Sequence, residues 1–189
     1  MSQHERPGSP RRDELLERAY RYALAHGLAE LSLRPLAAAI GSSPRVLLFL
    51  FGSKDQLIRA LLGRARADEL AALRQAREAG GAGDFAAAVR ATWGWLVDPA
   101  HRPMLVLWVQ AYARSLGEPD GPWAGFARQT VEDWLGLLAD VDGGAAGGDP
   151  ALGLAVLRGA LLDLLATGDA ERATAVVERY LRLVAAAAR

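Results

Sequence analysis

At 189 residues, the chain is long enough for one ordinary domain or for a small domain joined to a larger one. It has no cysteine, which excludes a disulfide framework and a thiolate metal site. Formal net charge is zero, against an unspecific nucleic-acid binder, yet residues 1–60 hold nine Lys or Arg to six Asp or Glu and the rest thirteen to sixteen, the sign expected of an N-terminal DNA module on an acidic body.

Residues 1–12 are expected to form a disordered arm punctuated by Pro7, Gly8, Ser9 and Pro10, with Arg11 and Arg12 either near phosphates or simply solvated. The arm lacks the apolar core of a signal peptide. Arg158 and Asp163 interrupt the longest apolar stretch, so a soluble, cytoplasmic protein with no membrane partner is expected. Leu15, Leu16, Ala19, Tyr22 and Ala23 recur at helical spacing and predict a first helix over 13–26, with Gly27 just beyond its end. Ser32 is placed to cap a second helix, where Leu33, Leu36, Ala37 and Ile40 make a buried stripe and Arg34 faces outward. Gly41 suits a tight turn between helices, and Ser43 and Pro44 suit the cap and first position of a third, closed by Phe51-Gly52.

In that third helix Leu47 and Phe51 should pack inward, leaving Arg45, Leu48 and Phe49 on the other face. Apolar side chains left in water forgo roughly 1.5–3 kcal/mol each, so thymine methyls and sugars in a major groove, or another protein surface, should cover them. Two helices joined by a short glycine turn form a DNA-reading device in many proteins. Ser53-Lys54-Asp55-Gln56 has the form of a capping box and predicts a long fourth helix over 54–79.

Gly80-Gly81-Ala82-Gly83 reads as a hinge-like loop; without a preceding strand or a following Lys-Ser or Lys-Thr it does not read as a phosphate loop. Helices follow over 85–97, capped by Asp84, over 104–116 after a turn bracketed by Pro99 and Pro103, and over 123–141. A flexible loop over 141–149 leads to a helix starting at Pro150, and Asp169 should cap the last, over 170–187, with Ala173, Val176, Val177, Tyr180, Leu181 and Val184 inward. All five tryptophans fall between Trp93 and Trp134. Core filling explains most of them, but an aromatic-lined small-molecule cavity is also expected, with Thr92, Trp93, Met104, Trp108, Gln110, Tyr112, Phe126 and Thr130 as candidate lining. The helix from Pro150 is apolar nearly all round, which implies its own core on one side and a partner on the other; Asp163 within it needs a partner, Arg158 being one candidate. His4, His26 and His101 have no metal or general-base spacing, so no catalytic residue, metal or cofactor is expected.

Residues 13–62 resemble the DNA-binding domain of the tetracycline-repressor (TetR) family of bacterial regulators. The resemblance lies in Ala19, Tyr22, Gly27, the Ser32-Leu33-Arg34-x-Leu36-Ala37 run, Gly41, Ser43, Leu47 and Phe51-Gly52-Ser53-Lys54-Asp55-x-Leu57. It implies backbone contacts from Ser32 and Arg34, base or phosphate contacts from Ser43, Pro44, Arg45, Val46 and Phe49, and a phosphate contact from Lys54. Members usually carry a tyrosine at the position of Leu48 or Phe49 and a histidine at Leu50; both polar groups are missing here. The GALLDLLATGD ending of the helix from Pro150 is similar to actinobacterial-type members, in which the helices corresponding to 123–141 and the one from Pro150 form a four-helix dimer interface. Trp134, Leu138, Val156, Leu157, Leu161 and Leu164 are the expected interface residues.

The resulting expectation is an all-α protein: an arm over 1–12, a three-helix helix-turn-helix domain over 13–53, and a helical ligand-binding and dimerisation bundle over 54–189. Its expected partners are double-stranded DNA, a small-molecule effector and a second copy. The function implied is ligand-responsive regulation, with repression of a pseudo-palindromic operator as the default. The alternative is a TetR-like dimer without operator recognition, serving as a protein-interaction or small-molecule-binding module.

Overall fold

The computed structural model describes residues 9–28, 31–79, 84–118, 120–139 and 148–187. Residues 1–8 of the arm expected over 1–12, the loop over 80–83, and residues 141–147 of the loop expected over 141–149 lie outside them. The described residues are all-α and form an N-terminal helix-turn-helix arrangement and a C-terminal helical bundle. The chain divides into two compact units, Met1–Ala65 with Leu107–Ala127, and Arg66–Val106 with Arg128–Arg189.

In the first unit, α1 spans Pro10–His26, three residues earlier than expected. Ser9 caps it by accepting from the Arg12 N–H, and Pro10 sits where its missing N–H costs nothing, so Arg11 and Arg12 are helical. Leu15, Ala19, Tyr20 and Ala23 are buried. Tyr20 thus takes the core place expected of Tyr22: the Arg64 guanidinium lies 4.9 Å over its ring, while Tyr22 stacks on His26 at 4.1 Å. Arg64 also pairs with Glu17. α2 spans Leu33–Ala39, α3 Pro44–Phe51 and α4 Lys54–Ala79. Gly41 turns the chain between α2 and α3 at φ +67, where the Ser42 N–H donates to the Ala37 carbonyl at 2.8 Å. Ser32 occupies the N-cap position of α2 with extended backbone, but its side chain makes no capping bond. The first turns of α4 bury Leu57, Ile58, Leu61 and Leu62.

In the second unit, α5 spans Phe85–Val97, capped by Asp84, and a 3₁₀ turn over Pro99–His101 is capped by Asp98. α6 (Arg102–Gly117) begins two residues early because Pro103 fits a first turn, and its later part belongs to the first unit. α7 spans Phe126–Ala139; Trp123 lies outside it, before a turn in which Gly125 has φ +76. α8 (Pro150–Thr167) and α9 (Ala170–Ala187) pack on each other and on α5. Gly153 permits the close approach of α8 to α5, since a Cβ there would stand 2.7 Å from Phe85 Cζ. Asp163 pairs with Arg172, with Arg172 Nε donating at 3.1 Å; Arg158 instead lies 5.8 Å from the Trp134 ring centre. Val176, expected inward, is half exposed on α9. α8 has the length and apolarity of a membrane span, but so does a helix of a packed bundle, and Arg158 and Asp163 would be costly inside a bilayer.

Candidate nucleic-acid interface and second-unit sites

α3 is oriented by its two ends and its buried face. Ser43, with extended backbone, accepts from the Val46 N–H at 3.3 Å, and Pro44 starts the first turn. Leu47 and Phe51 are buried. At 100° per residue, their burial turns Arg45 and Phe49, one turn apart, directly away from the core, with Val46 and Leu48 flanking them. Phe49 is 85% exposed, against 41% for Leu48 and 39% for Val46. The helix closes at Gly52, φ +82, where the Gln56 side chain folds back so closely that a Cβ would stand 1.9 Å from its Oε1. Ser53 caps α4 by accepting from the Gln56 N–H at 3.1 Å.

The other expected contacts lie at helix starts. Arg34 is exposed in the first turn of α2 beside Ser32, whose hydroxyl is not used in capping, and Lys54 is exposed at the start of α4. No acidic residue occurs from Leu31 to Lys54. Among the described residues, Arg34, Arg45 and Lys54 enter no ion pair. Helix N-termini with unpaired cations beside them suit phosphate oxygens. In the same unit, an open cleft of about 710 Å³ runs between Arg18, Arg21, Tyr22 and His26 of α1 and Ala39–Gly41. No small-molecule site had been expected there.

The expected effector-lining residues fall in both units. In the second, Thr92, Trp93 and Thr130 are buried and Met104 is half-buried; Trp93 Nε1 donates to Thr174 Oγ1 at 3.0 Å, which ties α5 to α9. In the first, Trp108 and Phe126 are buried, Trp108 lies 5.1 Å from the Tyr112 ring, and Gln110 packs against Gly27, 3.1 Å from where a Cβ would stand.

Sequence reasoning missed Glu69. This carboxyl of α4 is 3% exposed among groups of the second unit. Burial pushes it up to about 8, against the opposing pull of the Trp134 indole donor and of the charge on Arg158; Asp133 raises it further and Arg66 lowers it. Arg66 is itself held above its usual range by its bond to Asp133. A signal was present: Leu62, Ala65, Glu69 and Leu73 form one inward stripe, and an acid on such a stripe is either buried or misplaced.

The expected dimer residues lie inside the second unit. Trp134, Leu138, Leu157, Leu161 and Leu164 are buried in their own chain, and Val156 is half-buried. A side chain already covered by its own chain has little area left for a partner. The outward stripe of α8 is a different set, Leu152, Ala155, Gly159, Leu162 and Ala166, and α9 exposes Val176 and Leu183.

Comparison with known proteins bears on this geometry. The family described as bacterial regulatory proteins, tetR family, matches residues 15–61, which span α1 to the first turns of α4. No curated protein matches the chain. Among solved structures, the multidrug binding protein EbrR complexed with imidazole is similar at 28% identity and TM-score 0.67, covering 93% of this chain and 93% of that one. The same protein complexed with proflavin is similar at 25% identity and TM-score 0.64, over 89% and 98% of the two chains. A TetR-family transcriptional regulator from Streptomyces coelicolor is similar at 26% identity and TM-score 0.69, over 92% and 95%. A transcriptional regulator from Rhodococcus sp. Rha1 shares the fold at 21% identity and TM-score 0.70, over 92% and 95%. Together these likenesses show a chain whose residues 15–61 match the tetR family and whose fold over most of its length is similar to that of tetR-family regulators.

Proposed function

We propose that the chain is a one-component transcriptional regulator that represses from a pseudo-palindromic operator as a homodimer and leaves it when a small aromatic effector binds. The outward pair Arg45 and Phe49 on a Ser43-capped helix carries the DNA part of this reading. In a dimer the two copies of α3 would enter successive major grooves, about 34–36 Å apart. Arg45 is the base-edge donor, and an arginine set bidentately on guanine contributes about 1–3 kcal/mol of discrimination. Ser32, Arg34, Ser43 and Lys54 hold phosphates and fix register without reading sequence.

The effector assignment leans on the tryptophan-rich core and on the likeness to EbrR, which was solved with imidazole and with proflavin. Thr92, Trp93, Met104, Trp108, Gln110, Tyr112, Phe126 and Thr130 remain its proposed contacts. Effector release follows by linkage if the ligand prefers a dimer whose two reading helices are wrongly spaced. Action in the cytoplasm is part of the same reading.

The exposure of Phe49 also favours a second reading, in which α3 docks on a protein and operator recognition is lost. Mobility shift of genomic fragments at low and moderate salt separates the two. A regulator retards particular fragments; uniformly weak, steeply salt-dependent retardation favours the second reading. Within the first, Arg45→Ala relaxes sequence choice, whereas Lys54→Ala weakens binding to all sequences alike.

A further inference from the structure

We propose that α3 reads thymine by its 5-methyl group, through Phe49, next to one guanine taken by Arg45. The assignment rests on the DNA-binding reading above and gives it an operator chemistry. The outward face of α3 holds one strong hydrogen-bond donor for base edges, the Arg45 guanidinium. Val46, Leu48 and Phe49 bring none, and the Ser43 hydroxyl, which accepts from the Val46 N–H, keeps its own O–H for the phosphate contact proposed above. In the major groove thymine alone presents a methyl group; the other bases present donors and acceptors across the same edge. Covering those polar edges with an aromatic ring would strip their water without replacing its hydrogen bonds, which costs affinity. Covering a thymine methyl removes apolar surface on both sides.

The surroundings of the ring argue for a nucleic acid as the occupant. Arg34, Arg45 and Lys54 are all exposed, in a stretch around Phe49 from Leu31 to Lys54 that holds no acid. A duplex offers both halves of the complement, anionic phosphates at the rim and methyl groups at the centre. Arg45 and Phe49 are one helical turn apart, about 6 Å along the axis, which corresponds to about two base pairs. Each half-site therefore places a guanine within about two base pairs of a thymine whose methyl meets Phe49.

The test starts from a duplex selected by the full-length protein from a randomised pool, then resynthesised with deoxyuridine for every thymine in the half-sites. Binding should weaken about fourfold for each contacted methyl removed, the factor expected for uncovering one buried carbon. Phe49→Ala, altering a side chain that is 85% exposed, leaves the fold intact and should bind the two duplexes equally. Equal binding of both duplexes by the unaltered protein would overturn thymine reading and leave DNA recognition standing. So would a Phe49→Ala protein that still prefers thymine. Selection that enriches no sequence would overturn both, and with them point α3 toward a protein partner.

Discussion

At the level of single residues, Gly52 is the position least open to change in the reading module. Its φ of +82 suits glycine, and the space where a Cβ would go is already taken by Gln56. Gly168 offers the contrast: at φ +74 and ψ 2 it caps α8 in left-handed geometry, with nothing within 4 Å of a Cβ. Positive-φ backbone strain at Gly52 costs of order 1–3 kcal/mol, and the exposed tip of Gln56 can swing aside at little further cost. Gly52→Ala should therefore lower the thermal midpoint of the full chain at least twice as far as Gly168→Asn, asparagine being tolerated at such caps. Equal shifts in the two melting curves would remove the special place of Gly52. The roles of Gly27, Gly41 and Gly52 were legible because each closes an apolar stripe. The behaviour of Ser32 was not: residue type says that a hydroxyl is present at a cap position, not that it turns away from the helix.

At the level of elements, α4 carries the largest departure from the sequence reading. Its ends at 54 and 79 and its inner stripe were legible from cap chemistry and helical spacing. Glu69 was not placed, because the same periodicity serves a buried acid and a surface one, and only α7 and α8 packing over it decide between them. The same limit moved the start of α7, where the turn before Phe126 depends on Gly125 and not on any helix-breaking residue at 123. The burial of Glu69 has a measurable consequence. Unfolded, the carboxyl titrates near its ordinary 4.5; folded, near about 8. Between those values the native state holds a proton that the unfolded chain lacks, so stability falls as pH rises through the window and the penalty is complete above it. Glu69→Gln keeps an acceptor for Trp134 and removes the titration. Melting curves at about pH 5 and about pH 8.5 should show the unaltered protein losing more stability than the variant, with the variant the more stable at the higher pH. Parallel losses would mean that Glu69 is ionised in the fold, held so by Arg158.

At the level of the whole molecule, the proposed second copy would cover what the first leaves open. On α8 the exposed residues Leu152, Ala155, Gly159, Leu162 and Ala166 recur at alternating steps of three and four, the seam spacing of helices that cross at a shallow angle. All-round apolarity of this helix was legible in sequence, but it could not say which face each leucine takes; Leu161 and Leu162 are neighbours with opposite fates, fully buried and 51% exposed. Gly159 sharpens the distinction, because a Cβ added there has nothing within 4 Å. Replacing it with glutamate should even favour the helix, by roughly 0.5 kcal/mol or more on propensity, while holding a partner helix away and placing a charge in the seam. Sedimentation equilibrium should then find Gly159→Glu and Leu162→Asp as folded single chains with unchanged far-ultraviolet dichroism, and their operator affinity should fall with the loss of the second reading helix. Leu161→Asp, by contrast, should lose dichroism, since it buries a charge in the core of its own subunit. Intact dimers of both seam variants would move the interface off this face of α8, and the half-exposed Val176 and Leu183 on α9 would be the next surface to alter.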